Sequence, residues 1–313
     1  MTAAIIGIEQ YNTSGADGER GLHLLRVRPA AQQQPRPVLL LHGSTLPGSI
    51  AYTLAFGGQS WLDDLASRGH DAWALDFRGY GESWRPVDDG ARPCAPVADT
   101  DQAVEDLAAA IDFIRRATGA DAVDIVGWSW GATVAATYAA RGGALGRLVL
   151  HAPQWLRDTP SPMVTPQTLS EPYRTVDVPV FVDRWLGRID PAARAALGGW
   201  KEELERTLAA HEPISVPNGS ARDIATYWMA GRPGYDPAGI TAPTLVVVGS
   251  ADTDTPPALA REVFDRLGTQ SRLYAEIPDG THFTVFEPAR AALFRTAAAF
   301  LADTNIEKQE FPR

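Results

Sequence analysis

The run Gly127-Trp128-Ser129-Trp130-Gly131 has the form G-x-S-x-G and holds the residues most able to do chemistry in this sequence. A serine hydroxyl is a weak nucleophile at neutral pH. It needs a general base, usually an imidazole, and a carboxylate that fixes the imidazole tautomer and stabilises its cation. The chain has six histidines: His23, His42, His70, His151, His211 and His282. Only His282 lies in a loop just after the last predicted strand, in Pro278-Asp279-Gly280-Thr281-His282. Asp252 follows the preceding predicted strand, in Gly249-Ser250-Ala251-Asp252, and Asp254 stands as a rival two residues on. Serine, then aspartate, then histidine, each beyond a strand, is an order compatible with acyl transfer through a serine nucleophile. The single cysteine, Cys94, sits among Arg92, Pro93 and Pro96 and reads as a bystander in a loop.

These side chains need a frame. Val123 to Val126 is a short apolar run that predicts a buried strand, and Ala132 to Ala140 predicts a helix free of Gly and Pro. A strand that enters a helix within a few residues must turn sharply. Flanking glycines remove the Cβ atoms that would clash in such a turn. The serine is then held at the tip, with the unpaired N–H groups of the helix start behind it. Upstream, Ile5 to Glu9 and Leu22 to Val27 predict two opening strands joined by the turn-rich residues 12–18. Pro37-Val38-Leu39-Leu40-Leu41 is continuously apolar, as suits a strand covered on both faces, and it ends in His42-Gly43-Ser44-Thr45. Gln59 to Arg68 and residues 99–118 predict helices. Ala72 to Asp76 and Leu148 to Leu150 predict strands, the latter ending in His151-Ala152-Pro153.

The strand–helix alternation predicts a doubly wound, mostly parallel sheet of the α/β class, with chemistry at the carboxyl ends of the strands. It breaks over residues 154–239, which are rich in Pro, Trp and Tyr, carry helical runs and show no strong strand. This segment is expected to be a helical cap (lid) on a core made of residues 1–153 and 240–313. The alternation resumes with strands at Thr244 to Val248 and Arg272 to Ile277 and helices at Pro257 to Leu267 and Pro288 to Ala302.

Composition narrows the function. A chain of 313 residues can bury a large core. A net charge of −10, with no Lys/Arg run, speaks against nucleic acid as a partner. One cysteine permits no internal disulfide and argues against a thiolate metal cluster. No window reaches the ~20 apolar residues that span a bilayer, and the N-terminus lacks a signal-peptide pattern. A cytoplasmic protein with no membrane partner is the expectation, with a homodimer left open.

At this point the sequence resembles the α/β-hydrolase-fold superfamily, specifically a serine hydrolase with a helical cap, from about Ile5 to Ala302. The likeness rests on Leu41-His42-Gly43, on Asp76-Phe77-Arg78-Gly79-Tyr80-Gly81-Glu82-Ser83 and on Gly127-Trp128-Ser129-Trp130-Gly131. It continues in Gly249-Ser250-Ala251-Asp252 with Pro256, and in Gly280-Thr281-His282-Phe283 with Glu287-Pro288. The resemblance implies Ser129 as nucleophile, His282 as general base and Asp252 as the orienting acid. Asp252 is preferred over Asp254 because the family spacing Gly-x-x-Asp-x-x-x-Pro matches Gly249, Asp252 and Pro256. It implies an oxyanion hole from the amides of Ser44 and Trp130, with Thr45 as substitute for Ser44, and a structural role for His42. No metal or other cofactor is implied. Thr45, Leu46, Trp128, Trp155 and Phe283 are the expected substrate-pocket residues.

The implied activity is cleavage of a carboxylic ester or lactone of a bulky apolar or aromatic small molecule, through an acyl-enzyme. The Ser-Trp-Gly elbow is also similar to that of prolyl iminopeptidases. Those carry Gly-Pro-Gly after His-Gly, where this chain has Ser44-Thr45-Leu46. Amide cleavage and carbon–carbon bond hydrolysis on the same triad remain alternatives. A non-catalytic small-molecule-binding protein on the same fold is the alternative of a different class.

Overall fold

The strands that the apolar runs predict assemble around β5, which ends at the Ser129 turn. The computed structural model describes residues 7–14, 21–31, 36–86, 95–157, 159–194 and 197–303. Cys94 falls outside these residues. Among the described residues the sheet has eight strands, in the order β1-β2-β4-β3-β5-β6-β9-β10. They are β1 (Glu9–Ser14), β2 (Gly21–Val27), β3 (Val38–Leu41), β4 (Ala72–Leu75), β5 (Asp124–Trp128), β6 (Leu148–His151), β9 (Thr244–Gly249) and β10 (Arg272–Ile277). β2 runs antiparallel to both its neighbours, β1 and β4, and from β4 onward every pairing is parallel. β3, β4, β5, β6 and β9 are buried at every position. Helices cover both faces, which is why these strands read as continuous apolar runs rather than alternating ones.

The flanking helices are α1 (Gly48–Ala51), α2 (Trp61–Ser67), α3 (Thr100–Thr118), α4 (Trp130–Ala140), α10 (Pro257–Arg266) and α11 (Arg290–Ala302). Ser60 and Asp63 form a reciprocal cap at the start of α2, and Asp99 and Gln102 do so for α3. Each box satisfies N–H groups that have no partner within the helix. α3 stops at Gly119, whose φ of 73° is the left-handed turn that closes many helices. The Trp61 and Phe294 rings stack at 4.7 Å and join α2 to α11.

Of the opening strand expected at Ile5 to Glu9, Ile5 and Ile6 lie outside the described residues, and Gly7 and Ile8 are not in a strand. The first described strand starts at Glu9, where the predicted one ended, and extends through Asn12, Thr13 and Ser14. An edge strand needs little apolar surface. Here Tyr11 supplies the contact, its ring 5.1 Å from that of Trp73.

Between β6 and β9 lie α5 (Pro166–Ser170), β7 (Tyr173–Val176), α6 (Val178–Arg188), α7 (Pro191–Arg194), α8 (Trp200–Ala209), β8 (Ile214–Pro217) and α9 (Gly219–Asp223). A π-helical turn, Ile224–Trp228, and a 3₁₀ turn, Pro237–Gly239, complete the segment. It is mostly helical, as expected, but β7 and β8 pair as an antiparallel ribbon separate from the main sheet, with Tyr173 opposite Pro217 and Val176 opposite Ile214. Each ribbon strand has four residues. Strands so short and so far apart in sequence leave no period to read.

Candidate active site

β5 carries the chain to Ser129, and α4 begins at the next residue. Ser129 has φ 56° and ψ −118°, a conformation that costs a non-glycine residue energy and places its side chain at the tip of the turn. The glycines on either side are required by space. A Cβ on Gly127 would lie 2.5 Å from the Gly131 carbonyl oxygen, and one on Gly131 would lie 2.3 Å from that of Leu41. The turn is therefore pressed directly against the end of β3.

Three residues from different loops meet there. His282 Nε2 lies 2.9 Å from Ser129 Oγ, and His282 Nδ1 lies 2.9 Å from Asp252 Oδ2. The other Asp252 oxygen, Oδ1, accepts the N–H groups of Asp254 at 2.8 Å and Thr255 at 2.7 Å. With Oδ1 engaged by the backbone, Oδ2 is left to accept the Nδ1 proton. Nε2 is then free to accept from the serine hydroxyl. Burial pulls the His282 pKa down, but the facing Asp252 carboxylate, with Asp254 behind it, outweighs this and raises it above the ordinary histidine value.

Asp254, the rival carboxylate, does something else. It binds Arg184 Nη2 at 3.1 Å and Arg188 Nη2 at 2.9 Å, both from α6. Burial alone would raise its pKa. His282 and the two guanidinium groups more than offset that and hold it down at about 2.

The histidine loop is braced from several sides. Trp128 Nε1 donates to the His282 carbonyl at 2.9 Å. Glu287 accepts the Thr281 N–H at 2.9 Å and the Trp185 indole N–H of α6 at 3.1 Å. Burial raises the Glu287 pKa, which its hydrogen bonds to Thr281 and Trp185 only partly counter.

The loop after β3 is equally constrained. His42 Nε2 accepts the Phe77 N–H at 3.3 Å, so its proton sits on Nδ1, which donates to the Gly43 carbonyl at 2.7 Å. Complete burial lowers the His42 pKa to about 4 and keeps the ring neutral. The Ser44 carbonyl accepts from Arg174 Nη2 at 2.6 Å and Tyr80 Oη at 3.2 Å. In trans peptides each held carbonyl points its partner N–H the opposite way. The Ser44 and Thr45 amides are thus both fixed. Trp130 stands at the first position of α4, where the N–H has no acceptor within the helix. Its side chain is buried among His42, Phe77 and Tyr80.

A cavity of about 30 Å³ opens onto this constellation. Its walls are Gly43, Ser44, Thr45, Trp128, Ser129, Gln154, Arg157, Ser161, Met163, Arg184, Asp254, His282 and Phe283. Of the expected pocket residues, Thr45, Trp128 and Phe283 are present. Leu46 is not, because it is fully buried in the core. Trp155 is not either. Its indole N–H turns to the Tyr235 carbonyl at 3.1 Å, and it lines an adjoining crevice with Leu156 and Leu259 that shares Gln154, Arg157 and Asp254 with the cavity. Trp185 and Trp228 are also buried and do not line the cavity, whose walls mix apolar Trp128, Met163 and Phe283 with polar Ser44, Thr45, Gln154 and Ser161 and charged Arg157, Arg184 and Asp254.

Sequence reasoning missed Gln154, Arg157, Ser161, Met163, Arg184 and the wall role of Asp254. Gln154 Nε2 donates to Ser129 Oγ at 3.2 Å. A usable signal existed for it: it directly follows Ala152-Pro153 at a strand's carboxyl end. For Arg184 the signal was weaker, a repeat of arginine at 184 and 188 that puts both on one helix face. Among the described residues no group of three His, Cys, Asp or Glu side chains could hold a metal ion. No helix among them is long and apolar enough to cross a membrane.

The architecture has many counterparts. The enol-lactonase from Burkholderia xenovorans LB400 superposes with a TM-score of 0.66 at 19% identity, covering 94% of this chain and 100% of that one. A thermophilic esterase from Thermogutta terrifontis, solved with malate bound, gives 0.65 at 18% identity, over 94% and 98%. Est816, described as an N-acyl homoserine lactone degrading enzyme, gives 0.61 at 17%, over 93% and 100%. At such identities the likeness is one of fold. No curated protein matches the sequence. The sequence profile described as the alpha/beta hydrolase fold matches residues 36–289. That match spans most of the chain, including the Ser129 turn and the Asp252 and His282 loops, and the chain belongs to the alpha/beta hydrolase family.

Proposed function

We propose that the protein is a serine hydrolase that cleaves a carboxylic ester or lactone through an acyl-enzyme. The observation that carries this reading is the unbroken hydrogen-bonded chain from Ser129 Oγ through His282 to Asp252, at 2.9 Å in each link. His282 takes the proton of Ser129 as Oγ attacks the substrate carbonyl. Asp252 stabilises the imidazolium that forms. The Trp130 amide and that of Ser44 or Thr45 receive the oxyanion. His282 next protonates the leaving alcohol, and then activates water to release the acid.

The surroundings fit this role. Gln154, within reach of Oγ, holds the hydroxyl in place beside the imidazole. The Arg174 guanidinium behind the Ser44 carbonyl adds positive potential at the oxyanion loop. Residues 154–239 act as the lid, since Gln154, Arg157, Ser161, Met163 and Arg184 all reach the cavity from that segment. The mixed walls, with Trp128, Met163 and Phe283 beside Gln154, Ser161 and Arg184, favour a substrate that carries a polar group over a wholly apolar one. The enzymes of similar fold include an esterase and two lactone-related enzymes, in keeping with this reaction class.

A fluorophosphonate probe tests the mechanism. Labelling of the native protein, lost in Ser129→Ala, is the expected result. Equal labelling of the two, or none of either, would sink it.

A further inference from the structure

We infer that the substrate carries a carboxylate close to the bond that is cut, and that Arg184 is the residue that selects it. This rests on the hydrolase reading above and adds a substrate class to it.

The argument starts from charge at the cavity wall. Arg184 and Arg188 lie one turn apart on α6 and share a single carboxylate, that of Asp254. Two positive charges against one negative leave one positive charge uncompensated. Arg184 lies on the cavity wall. The Nε of both arginines is buried with no hydrogen-bond partner among the described residues. A buried donor without an acceptor, on a side chain whose charge is not matched, is costly. An anion entering the cavity supplies the missing charge. It also supplies acceptor oxygens in the planar pairing that guanidinium and carboxylate groups form.

The other wall residues point the same way. Arg157, whose guanidinium already donates to Thr159 and Pro160, also lies on the wall, and the hydroxyl and amide groups of Ser44, Thr45, Gln154 and Ser161 stand beside apolar Trp128, Met163 and Phe283. Asp252 turns its oxygens to His282 and to the Asp254 and Thr255 N–H groups rather than to the arginines, which pair with Asp254. The whole chain carries −10, and such a molecule repels anions on average. A local cationic wall inside it creates the opposite field at the one place where a substrate must sit. The cavity is small, so the carboxylate and the scissile carbonyl belong to the same short acyl or alcohol unit.

Asp254 has a defined part in this. It holds Arg184 at the cavity wall, which the two side chains share, and Phe283, next to His282, packs against the guanidinium at 5.7 Å. Arg184 is thereby oriented before the substrate arrives, which lowers the entropy lost on binding.

The test compares two esters that differ only in the remote charge: the 4-nitrophenyl monoester of glutaric acid and its 4-nitrophenyl methyl diester. Spontaneous hydrolysis is subtracted, and active enzyme is counted by fluorophosphonate titration so that misfolded protein does not enter the rates. For the native enzyme we expect kcat/KM for the acid to exceed that for the neutral diester at least tenfold. In Arg184→Gln the ratio falls at least tenfold, and Arg184→Lys restores part of it. A native ratio of one or less, or a ratio unchanged by Arg184→Gln, overturns the inference. A second arm does not depend on turnover: calorimetric binding of glutarate to Ser129→Ala, with and without Arg184→Gln. Weaker binding without the arginine supports the anion site even if no ester is ever cleaved, in which case only the hydrolase reading has failed. Glutarate binding that is the same with arginine or glutamine at 184 overturns the inference while leaving the hydrolase reading intact.

Discussion

His282 Nδ1 faces Asp252 Oδ2 at 2.9 Å, while Asp252 Oδ1 is tied to two backbone N–H groups. The carboxylate therefore has one orientation and one free oxygen. Asp252→Asn keeps the backbone bonds through its carbonyl oxygen and turns an N–H donor toward the imidazole, which selects the wrong tautomer. It is expected to lower kcat about 10³- to 10⁴-fold. Asp254→Asn, which touches arginines rather than the histidine, is expected to lose far less. Steady-state kinetics of the two variants on one ester discriminate, and equal losses would contradict the assignment.

The pH dependence of activity follows from the same pair. The proposed general base, His282, must be unprotonated to accept the serine proton, and Asp252 and Asp254 raise its pKa above the usual value. The acid limb of kcat/KM should accordingly lie above the pH at which an ordinary histidine titrates, about 6.5. Asp252→Asn removes the larger favourable charge and should move that limb to lower pH. A limb that stays in place in the variant would show that another group titrates.

Stability should respond to pH through three other histidines. Burial lowers the pKa of His42 to about 4, of His70 to about 4 and of His151 to about 3. Both ring nitrogens of His70 and His151 are buried without a hydrogen-bond partner among the described residues. The unfolded chain binds protons at these sites below the ordinary value, while the folded one does not. Folding stability is thus complete above about pH 6.5 and falls as pH drops toward the folded values, by at most about 4 kcal/mol per pH unit with all three contributing. His282 opposes this with its raised pKa, its stabilisation being present at low pH and lost as pH rises through the folded value. Asp254 adds a separate loss between its ordinary value of 3.8 and about 2, worth about 2 kcal/mol. Urea midpoints measured from pH 7.5 to 4 check the slope, and a flat profile would be incompatible with it.

The backbone of Ser129 stores strain that a glycine would not. Its φ of 56° with ψ of −118° costs about 1–3 kcal/mol for a residue with a side chain. Glycine loses about 0.5–1 kcal/mol more conformational entropy on folding. The strain is the larger quantity, so Ser129→Gly should be inactive and more stable than Ser129→Ala. Thermal melts of the two variants decide the point.

Gly131→Ala should fail for the opposite reason. Alanine is about 1 kcal/mol better than glycine within a helix. Its Cβ, however, would sit 2.3 Å from the Leu41 carbonyl oxygen and 2.5 Å from that of His42, and neither backbone atom can yield cheaply. A net loss of about 2 kcal/mol or more is expected, together with lower kcat because the displaced atoms lead into Gly43 and Ser44. Wild-type stability in this variant would mean that the turn and β3 are less closely packed than described.

Much of this was legible in the residues, and the reasons are physical. β3, β5 and β9 announce themselves because burial on both faces demands unbroken apolar runs. Ser129 stands out because its turn tolerates only glycine at 127 and 131. Asp252 and His282 are found because parallel strands place their following loops on one edge. The polar wall was hidden. Arg157 reaches the cavity through tertiary packing alone, and the cues for Gln154 and Arg184, a place after a strand end and an arginine repeat at 184 and 188, do not say which way the side chains turn. Trp155 was misjudged because an aromatic residue near a strand end can turn toward the site or, as here, toward the Tyr235 carbonyl. The β7–β8 ribbon was missed because strands of four residues, nearly forty positions apart, carry no local signature.

Helix α6 is riveted at two places, by Trp185 to Glu287 and by Arg184 and Arg188 to Asp254. Both rivets land on the loops that carry His282 and Asp252, the proposed base and its acid partner. Warming that loosens α6 must also release those loops. Catalytic half-life on heating should thus track the departure of this one helix and precede any melting of the central sheet, so that a residue fastening α6 more firmly would extend the working temperature without touching the core.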